Sequence, residues 1–460
     1  MLTLKPRKCH EIGNILIKWA KLIERHAPEY KLPPSIEEGS REHTCFLFFT
    51  ANIDQAMTLR RIRPVVLDRN RVLFGAEALW FYSRRLVELN PYAFSPEVIV
   101  RFSNNLTYVL MCVYPGLGVP DKCARYWVSN ARILLRRYNG DPRRIAEKCG
   151  YDALRVLREL KIFHGVGDKL SNFIFRFMYK MGFWSDVRNA HEVNIPADIH
   201  LQKLAFRTGM IESSKGPVVL GRSDVIRRVE EAYREAAKGC NVLPLDLDEP
   251  AWHIGRLCCS RKYGEFSCYT CPEEKRRRCS LASYCPGRCP LSDVCEKRID
   301  LILVHSWGIV DSRPKYKPEI SELEDLYPAV QRWLEREHYG SWLADWPINH
   351  EKLDYIAYHE TLDRLVAVEG IVDDKRNTLR HLGKLRYAAK VADEAYVATN
   401  SPIVEQYVKD LGLGILKYSH DEQEIVEVKR PTVRGSRDLN EWVKIHYSFR
   451  IVQSYLHYTP

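Results

Sequence analysis

The sequence has no apolar run long enough to cross a bilayer, and therefore gives no sign of a membrane-spanning helix. Residues 1–8 lack the apolar core of a secretory signal peptide. Glutamine is scarce while charged residues make up 28% of the chain, a composition compatible with a thermophilic source. These absences favour a globular, cytoplasmic protein with no membrane partner.

The composition is that of a large folded protein with an excess of basic charge. The 460 residues are enough for two or three domains, and 45% of them are hydrophobic. Lys and Arg number 70 against 59 acidic residues, which gives a formal net charge of +11. This balance favours a polyanionic partner.

Periodicity predicts mainly helices in the first part of the chain and alternating helices and strands after residue 316. The predicted helices are 9–27, 76–89, 97–112, 119–138, 151–161, 168–181, 197–209 and 222–237, followed after the linker by 321–337, 379–391 and 403–411. The predicted strands are 44–49, a hairpin over 64–67 and 71–74, and then 353–358, 365–369, 394–398 and 414–418.

One stretch, Phe-His-Gly-Val-Gly-Asp-Lys at 163–169, joins two of these helices. Gly165 and Gly167 permit positive φ and close approach of a ligand to the backbone. Amides at the start of the following helix form a seat for phosphate. The pattern predicts a helix-hairpin-helix that grips a nucleic-acid backbone. An ordinary tight connection between two helices is the alternative.

Downstream, Asp198-Ile199-His200 opens the helix over 197–209. With 132–141 and the hairpin, this segment resembles the helix-hairpin-helix DNA glycosylases, and most closely their endonuclease III branch, over roughly residues 75–300. The resemblance implies removal of a damaged or mismatched base from double-stranded DNA by nucleotide flipping, in base-excision repair. Lys169 would form a Schiff base with the sugar, which adds AP-lyase activity, and Asp198 would stabilise charge and accept a proton. Gly165, Gly167 and His200 would contact DNA.

Each catalytic candidate has a simpler role. Lys169 can bind phosphate, and Asp198 can cap the helix that follows it; a cap and a catalytic carboxylate can also be the same residue. The sequence departs from the family at His164, where proline is usual, and at Asp168, Ile199 and Lys203.

Eight of the fourteen cysteines lie between residues 258 and 295. Disulfides are disfavoured in a cytoplasmic protein, whereas clustered thiolates suit iron–sulfur or zinc. The run from His253 to Cys258, and the end of the segment at 289–295, are similar to the cluster loop of the same family. The resemblance therefore implies a [4Fe–4S] cluster on Cys258, Cys285, Cys289 and Cys295.

Other ligand sets remain open. The remaining four cysteines would hold zinc or, alternatively, the cluster itself: Cys259, Cys268, Cys271 and Cys279. A third set combines Cys279 with Cys285, Cys289 and Cys295. The cysteine loop also carries a basic run expected to face DNA phosphates, which includes Arg276, Arg277 and Arg278.

After a proline-containing linker, residues 316–460 resemble the restriction-endonuclease-like fold. Asp354 and Glu369 match its metal-binding acids, and Glu322 or Glu324 is a further candidate ligand. The usual lysine position holds Ile371, with Lys375 as a substitute. We therefore expect a degenerate nuclease site, with Mg²⁺ bound only if the domain is active. Such a domain would bind DNA or a protein partner.

The sequence thus predicts a multidomain protein, mainly α with a C-terminal α/β domain. The expected ranges are an N-terminal region at 1–74, a glycosylase core at 75–257, a cysteine-rich loop at 258–300 and the nuclease-like domain at 316–460. The alternatives to a glycosylase are a non-catalytic DNA-binding module and a metal-dependent nuclease. In a prokaryote, the protein would associate with the nucleoid.

Overall fold

The structure is a computed structural model of the 460-residue chain. It describes residues 2–23, 30–59, 62–68, 71–73, 75–214, 217–261, 265–277, 279, 282–306, 308–311, 326, 329–337, 341–348, 351–359, 364–371, 381, 384–385, 388–389, 392–401, 404–405, 408, 411, 413–419, 424–431, 454–455 and 458.

The chain folds into two compact units, each discontinuous in sequence. Unit 1 comprises residues 1–52, 67–72 and 129–316, and unit 2 comprises 53–66, 73–128 and 317–460. The expectation of a multidomain, mixed α/β protein is confirmed at this level. The four predicted domain ranges remain a prediction.

The described helices are, in chain order, α1 Pro6–Ile23, α2 Arg41–Ile53, α3 Ala56–Leu59, α4 Ala76–Leu89, α5 Pro96–Arg101, α6 Leu106–Val113, α7 Pro120–Tyr138, α8 Arg144–Lys148, α9 Ala153–Leu160, α10 Asp168–Lys180, α11 Ile199–Arg207, α12 Ser223–Cys240, α13 Asp248–His253 and α14 Glu273–Arg277. The described strands are β1 Leu2–Leu4, β2 Val65–Asp68, β3 Arg71–Leu73, β4 Ile211–Ser213, β5 Val218–Val219, β6 Leu303–His305, β7 Gly308–Ile309, β8 Ser341–Ile348, β9 Glu351–His359, β10 Arg364–Gly370, β11 Glu394–Ala398, β12 Gly414–Ser419 and β13 Glu424–Lys429.

The predicted strand over 44–49 is wrong, because these residues lie inside α2. Phe46, Phe48 and Phe49 are all fully buried, so the run is apolar on every side. Periodicity cannot distinguish such a buried helix from a strand. The helix predicted over 97–112 is instead two helices, α5 and α6, separated by a turn.

The core of unit 1 forms where α1 packs against α12. Gly13 permits this close packing, because a Cβ there would lie 2.8 Å from the backbone oxygen of Ala236. The same hydrophobic core includes Leu201 of α11 and Ala251 of α13. At one edge β1 pairs antiparallel with β4. The N-terminal elements β1 and α1 therefore pack on β4 and α12, which come much later in the chain.

Three buried charges tie α11 to the end of unit 1. The carboxylate of Asp311 lies 3.3 Å from Lys203 Nζ and 3.1 Å from Arg207 Nη1. Burial alone would raise the pKa of Asp311, but the two cations outweigh it and the pKa is lowered. Asp311 also has positive φ, a conformation that Asp and Asn tolerate.

Unit 2 contains a six-stranded mixed sheet in the order β13-β12-β11-β10-β9-β8. β8, β9 and β10 are antiparallel, β10, β11 and β12 run parallel, and β13 is again antiparallel. A helical segment at 329–336 covers one face, where the Trp333 and Tyr396 rings lie 5.3 Å apart. The predicted strands at 353–358, 365–369, 394–398 and 414–418 are confirmed; β8 and β13 were not predicted.

Residues near the C-terminus pack on the early helices of the same unit. Tyr455 is fully buried, and its hydroxyl donates a hydrogen bond to the carbonyl of Ala93. The Asn90 side chain donates to the carbonyl of Tyr455 over 2.7 Å. The two ends of unit 2 are thus joined by hydrogen bonds and buried aromatic surface. Within the described part of the chain, none of the helices is both long and apolar enough to span a membrane.

The Lys203–Asp311–Arg207 cluster generates a stability prediction. Asp311→Asn keeps the shape and the backbone preference but leaves two buried cations without their carboxylate. We expect the free energy of unfolding of unit 1 to fall by about 3–5 kcal/mol. Guanidinium unfolding at pH 7 measures it.

Asp224→Asn is the matched control, because Asp224 pairs with Arg222 on the exposed surface. Its loss should cost less than about 1 kcal/mol. Equal effects of the two substitutions would contradict the assigned role of Asp311.

Candidate functional site

The predicted hairpin is present. α9 begins at Ala153, where the Asp152 side chain caps it by accepting from the Arg155 amide. α9 ends at Leu160, and α10 begins at Asp168 after a short turn. Gly165 has φ +81°, in the left-handed region that favours glycine. Glycine at this position is thus a requirement of the turn.

Two asparagines hold the backbone of the turn at His164. The carbonyl of His164 accepts from Asn52 Nδ2 at 2.9 Å and from Asn130 Nδ2 at 3.0 Å. Its amide donates to Asn130 Oδ1 at 2.7 Å. The position that holds proline in the family is therefore anchored by hydrogen bonds. The Phe163 ring, 4.9 Å from that of Phe48, anchors the turn from beneath.

The face of the turn at Gly167 is open. A Cβ built on Gly167 would meet nothing within 4 Å. Within the described chain, no side chain caps the N-terminus of α10 by hydrogen bonding. The amides there, together with the helix dipole, favour an anion. The geometry is that expected of a backbone seat for phosphate.

Asp198 is both a helix cap and the nearest carboxylate to Lys169. Its Oδ1 accepts the amides of His200 at 2.8 Å and Leu201 at 3.1 Å. Its Oδ2 lies 3.9 Å from Lys169 Nζ. The capping role predicted for Asp198 is confirmed. The structure also brings together the two residues proposed for catalysis.

The two ends of this pair differ in exposure. The Lys169 side chain is 61% exposed, whereas that of Asp198 is only 11% exposed. Partial burial, which would favour a neutral amine, is therefore not seen at Lys169. The neighbouring Asp168 pairs with Lys161, across the turn. The acidic residue that precedes Lys169 is therefore neutralised within the hairpin.

The residues packed beneath Asp198 are buried and mostly apolar. Tyr233 is fully buried, and its hydroxyl donates to the carbonyl of Leu201 over 3.3 Å. Burial, and then the charge on Asp198, raise the pKa of Tyr233 well above its usual value. The rings of His200 and Trp252 form a T-shaped pair, with 6.2 Å between their centroids. The core-facing side of Asp198 is thus shielded from water, and its Oδ2 faces Lys169.

The cysteine region packs against the same buried residues. Cys259 and Cys289 belong to the same hydrophobic core as α11, and all fourteen cysteines are free of disulfides. Burial raises the pKa of the thiols of Cys268 to about 11 and of Cys295 to about 12. Among described residues, no three His, Cys, Asp or Glu side chains already converge on one metal position. The donor chemistry, eight free thiols on one loop, nevertheless fits a thiolate-bound metal cofactor.

The basic run of the loop is divided between surface and interior. Arg276 is exposed. Lys275 is only 3% exposed, and its ammonium donates to the carbonyl of Ser260. It is therefore turned toward the cysteines and away from solvent, contrary to the expectation for this run. The side chain of Arg277 and all of Arg278 lie outside the described residues.

In unit 2, Asp354 and Glu369 are neighbours on adjacent strands. Glu369 is fully buried, and its Oε2 accepts the amide of Asp354 at 3.0 Å. Its Oε1 lies 2.5 Å from both Lys384 Nζ and His381 Nδ1. One buried carboxylate is thus neutralised by a lysine from the segment that follows β10.

Asp354 is held in a similar way. Its Oδ2 accepts the amide of Gly370 at 2.8 Å, and its Oδ1 lies 3.5 Å from Arg63 Nη2. Arg63 is buried and stacks on the Tyr355 ring, with the guanidinium carbon 4.2 Å from the ring centre. Protein groups therefore occupy all four oxygens of the acid pair.

Sequence reasoning missed three residues at this second site: Arg63, His381 and Lys384. His381 and Lys384 lie three residues apart in a predicted helix and so share a face, a signal that could have found them. Arg63 is distant from Asp354 in the sequence, and no sequence pattern links the two residues. Ile371 is 2% exposed, while Lys375, Glu322 and Glu324 lie outside the described residues.

The sequence was also compared with known proteins. No model of a protein family matches this chain, and no curated protein matches it significantly.

Proposed function

We propose that this protein is a DNA-repair glycosylase with AP-lyase activity. The observation that carries the proposal is the 3.9 Å approach of Lys169 Nζ to Asp198 Oδ2, beside an open glycine turn. The hairpin supplies an amine and a phosphate seat, and the start of α11 brings a carboxylate to the amine; these are the groups that this chemistry requires. The net charge of +11 agrees with double-stranded DNA as the partner.

Asp198 would act on the sugar of a flipped nucleotide. Breaking the bond to the base leaves positive charge on the sugar, and a nearby carboxylate stabilises it. The two amides on Oδ1 fix the carboxylate, so it needs no rearrangement when charge develops. Its Oδ2 is directed toward the place where the amine reacts.

Lys169 would supply the nucleophile. Its ammonium gives a proton to Asp198, and the neutral amine forms a bond to the sugar carbon while the base leaves with the bonding electrons. Opening of the sugar ring then yields a Schiff base, which permits elimination of the 3′ phosphate. Because Lys169 is exposed in the free protein, contact with DNA would supply the desolvation that favours the neutral amine.

The hairpin would grip the strand by its backbone. Gly167 leaves room for a phosphate oxygen at the α10 amides, and the bonds from Asn52 and Asn130 keep the turn rigid. A [4Fe–4S] cluster held by the cysteine loop would have a structural role, steadying a loop whose exposed Arg276 faces phosphate. The hairpin, Asp198 and the cysteine loop of such a glycosylase would all belong to unit 1, while residues 75–128 of its predicted core belong to unit 2.

The C-terminal sheet supports a second proposal, that of a degenerate restriction-endonuclease-like domain. Its order of three antiparallel strands followed by two parallel steps agrees with such a fold. Lys384 pairs with Glu369 and Arg63 pairs with Asp354, the two carboxylates that would otherwise bind Mg²⁺. This domain would bind DNA or a protein partner and would not cut DNA.

Borohydride trapping on duplex DNA with an abasic site tests the nucleophile. The wild type should form a covalent adduct, and Lys169→Gln should form none, because an amide cannot make a Schiff base. Lys161→Gln is the matched control: this lysine lies on the same hairpin and faces Asp168. It should retain trapping with weaker binding. An adduct that persists in Lys169→Gln would exclude Lys169, and tight salt-sensitive binding with no wild-type adduct would favour a binding module.

Asp198→Asn separates charge from capping. Asparagine caps helices as well as aspartate does, so the thermal midpoint should be nearly unchanged. Base release from a lesion-containing duplex should fall by roughly 10²-fold or more. The rate is measured under single turnover with an excess of enzyme. An unchanged rate would reduce Asp198 to a cap.

The buried acid pair in unit 2 gives a further expectation. Wild-type protein should show neither a Mg²⁺-dependent rise in thermal midpoint nor Mg²⁺-dependent cutting of plasmid DNA. Lys384→Met should lower the free energy of unfolding of unit 2 by about 3–5 kcal/mol, since it leaves Glu369 buried with less compensation.

Arg336→Met is the control for this substitution, because Arg336 pairs with the exposed Glu424 at the surface of the same unit. It should cost less than about 1 kcal/mol. Mg²⁺-dependent cutting that is lost in Glu369→Ala would overturn the degenerate assignment and establish a nuclease.

A further inference from the structure

The loop that carries the cysteines also presents a tyrosine to solvent. Tyr269 is 72% exposed, the largest fraction among the exposed large hydrophobic residues of the described chain. A single exposed apolar side chain is common on protein surfaces. The case for a function at Tyr269 therefore depends on how its backbone is held and on what lies beside its ring.

The backbone around Tyr269 is held by two segments of the loop. Two backbone hydrogen bonds, each 2.7 Å long, join residues 267–271 of one segment to residues 287–289 of the other. Tyr269 lies between these bonds on the first segment, opposite Arg288 on the second. The tyrosine is thus presented from a fixed position, and the arginine across from it is also exposed.

Lys297 covers one face of the tyrosine ring. Its Nζ lies 4.7 Å from the centre of the Tyr269 ring, within the range of a cation–π contact. An aromatic ring has two faces, and the ammonium group occupies one of them. The exposure of 72% is that expected if the second face is open to solvent.

The backbone of Lys297 is held in a conformation that lysine seldom adopts. Its φ is +51°, in the left-handed region. The Lys297 amide donates to Cys295 Sγ over 3.2 Å. The amides of the residues on either side of Lys297 donate to the carbonyls of Thr208 and Arg207, over 3.3 and 3.1 Å. Unfavourable backbone conformations persist where neighbouring bonds impose them, and they are frequent where ligands bind.

The charge of Lys297 is not balanced by a carboxylate among the described residues. The other two cations of this surface are balanced: Arg288 pairs with Asp293 over 3.1 Å, and Arg298 pairs with Glu296. Lys297 therefore combines an uncompensated positive charge with an adjacent aromatic ring.

The same loop contains a cation–π cluster with a packing role, at Phe266. The guanidinium carbons of Arg207 and Arg261 lie 4.7 and 4.9 Å from the centre of the Phe266 ring. Arg207 is only 2% exposed, so this cluster belongs to the interior of the loop. Tyr269 differs from Phe266 because its ring is directed to solvent and meets a single cation in the described chain.

We propose that Tyr269 and Lys297 form a stacking platform for an unpaired base of single-stranded DNA. The base would stack on the open face of the Tyr269 ring, and Lys297 would bind a phosphate of the same strand. Proteins bind single strands in this way without regard to sequence, because every base has a π-face. Bases within a duplex are already stacked on one another. The platform therefore favours single-stranded or locally opened DNA.

This contact goes beyond the hairpin, which would grip the backbone of a duplex. The choice of DNA over RNA rests on the proposed function. The platform itself requires neither Lys169 nor Asp198, so the two proposals can fail separately.

Fluorescence anisotropy on the full-length protein tests the platform with three strands of equal length. They are oligothymidylate, a strand of abasic deoxyribose spacers with the same number of phosphates, and oligouridylate. Wild type should bind oligothymidylate roughly 10-fold more tightly than the abasic strand at the same salt concentration, because only the first can stack. Tyr269→Ala should lose this preference, whereas Tyr269→Phe should retain it.

Lys297→Met keeps the length of the side chain and removes its charge. It should weaken binding to oligothymidylate and to the abasic strand alike. The slope of log affinity against log salt concentration should become shallower by about 0.7 for the loss of one phosphate contact on a single strand. An unchanged slope would exclude a phosphate contact at Lys297 and overturn the platform as proposed.

Tyr284→Ala is the matched control, because it removes another exposed tyrosine of the same loop. It should bind all three strands as wild type does, and Tyr269→Ala should keep the wild-type thermal midpoint because little packing is lost. The proposal would be overturned by a wild type that binds thymidylate and abasic strands equally, by a preference that persists in Tyr269→Ala, by an equal loss in Tyr284→Ala, or by tighter binding of oligouridylate. A thymidylate preference without borohydride trapping would remove the enzymatic proposal and leave this one intact.

Discussion

The carboxylate of Asp198 links the local fold to the candidate chemistry. One oxygen is bound by two amides at the first turn of α11, and the other faces Lys169 at the first turn of α10. The first turns of the two helices therefore meet at a single side chain. A charged group that is already committed to capping cannot turn away from the amine. Orientation of the pair is thus a by-product of how α11 begins.

Two further clusters among the described residues show how buried charges are compensated by opposite charges. Asp311 faces two cations in unit 1, and Glu369 faces Lys384 and His381 in unit 2. Taking such charges out of water is costly, so each cluster persists because its members compensate one another.

Local features of the chain were predictable from sequence. The glycine turn, its two helices and the capping role of Asp198 follow from spacing and residue type alone. The buried helix α2 was missed because a run of phenylalanines has no polar face to reveal its period. Arg63 could not be associated with Asp354, because only the tertiary fold places them together.

The burial of Tyr455 against Ala93 has a consequence for how the protein folds during its synthesis. Chains emerge from the ribosome from the N-terminus, and early segments can fold as they appear. Asn90 and Ala93, which lie between α4 and α5, leave the ribosome long before Tyr455, yet both are hydrogen-bonded to it. Unit 1 can be completed once residue 316 has emerged, while unit 2 must wait for Tyr455. The order of translation therefore separates the assembly of the two units in time, with the apolar surface of the early helices exposed in the interval.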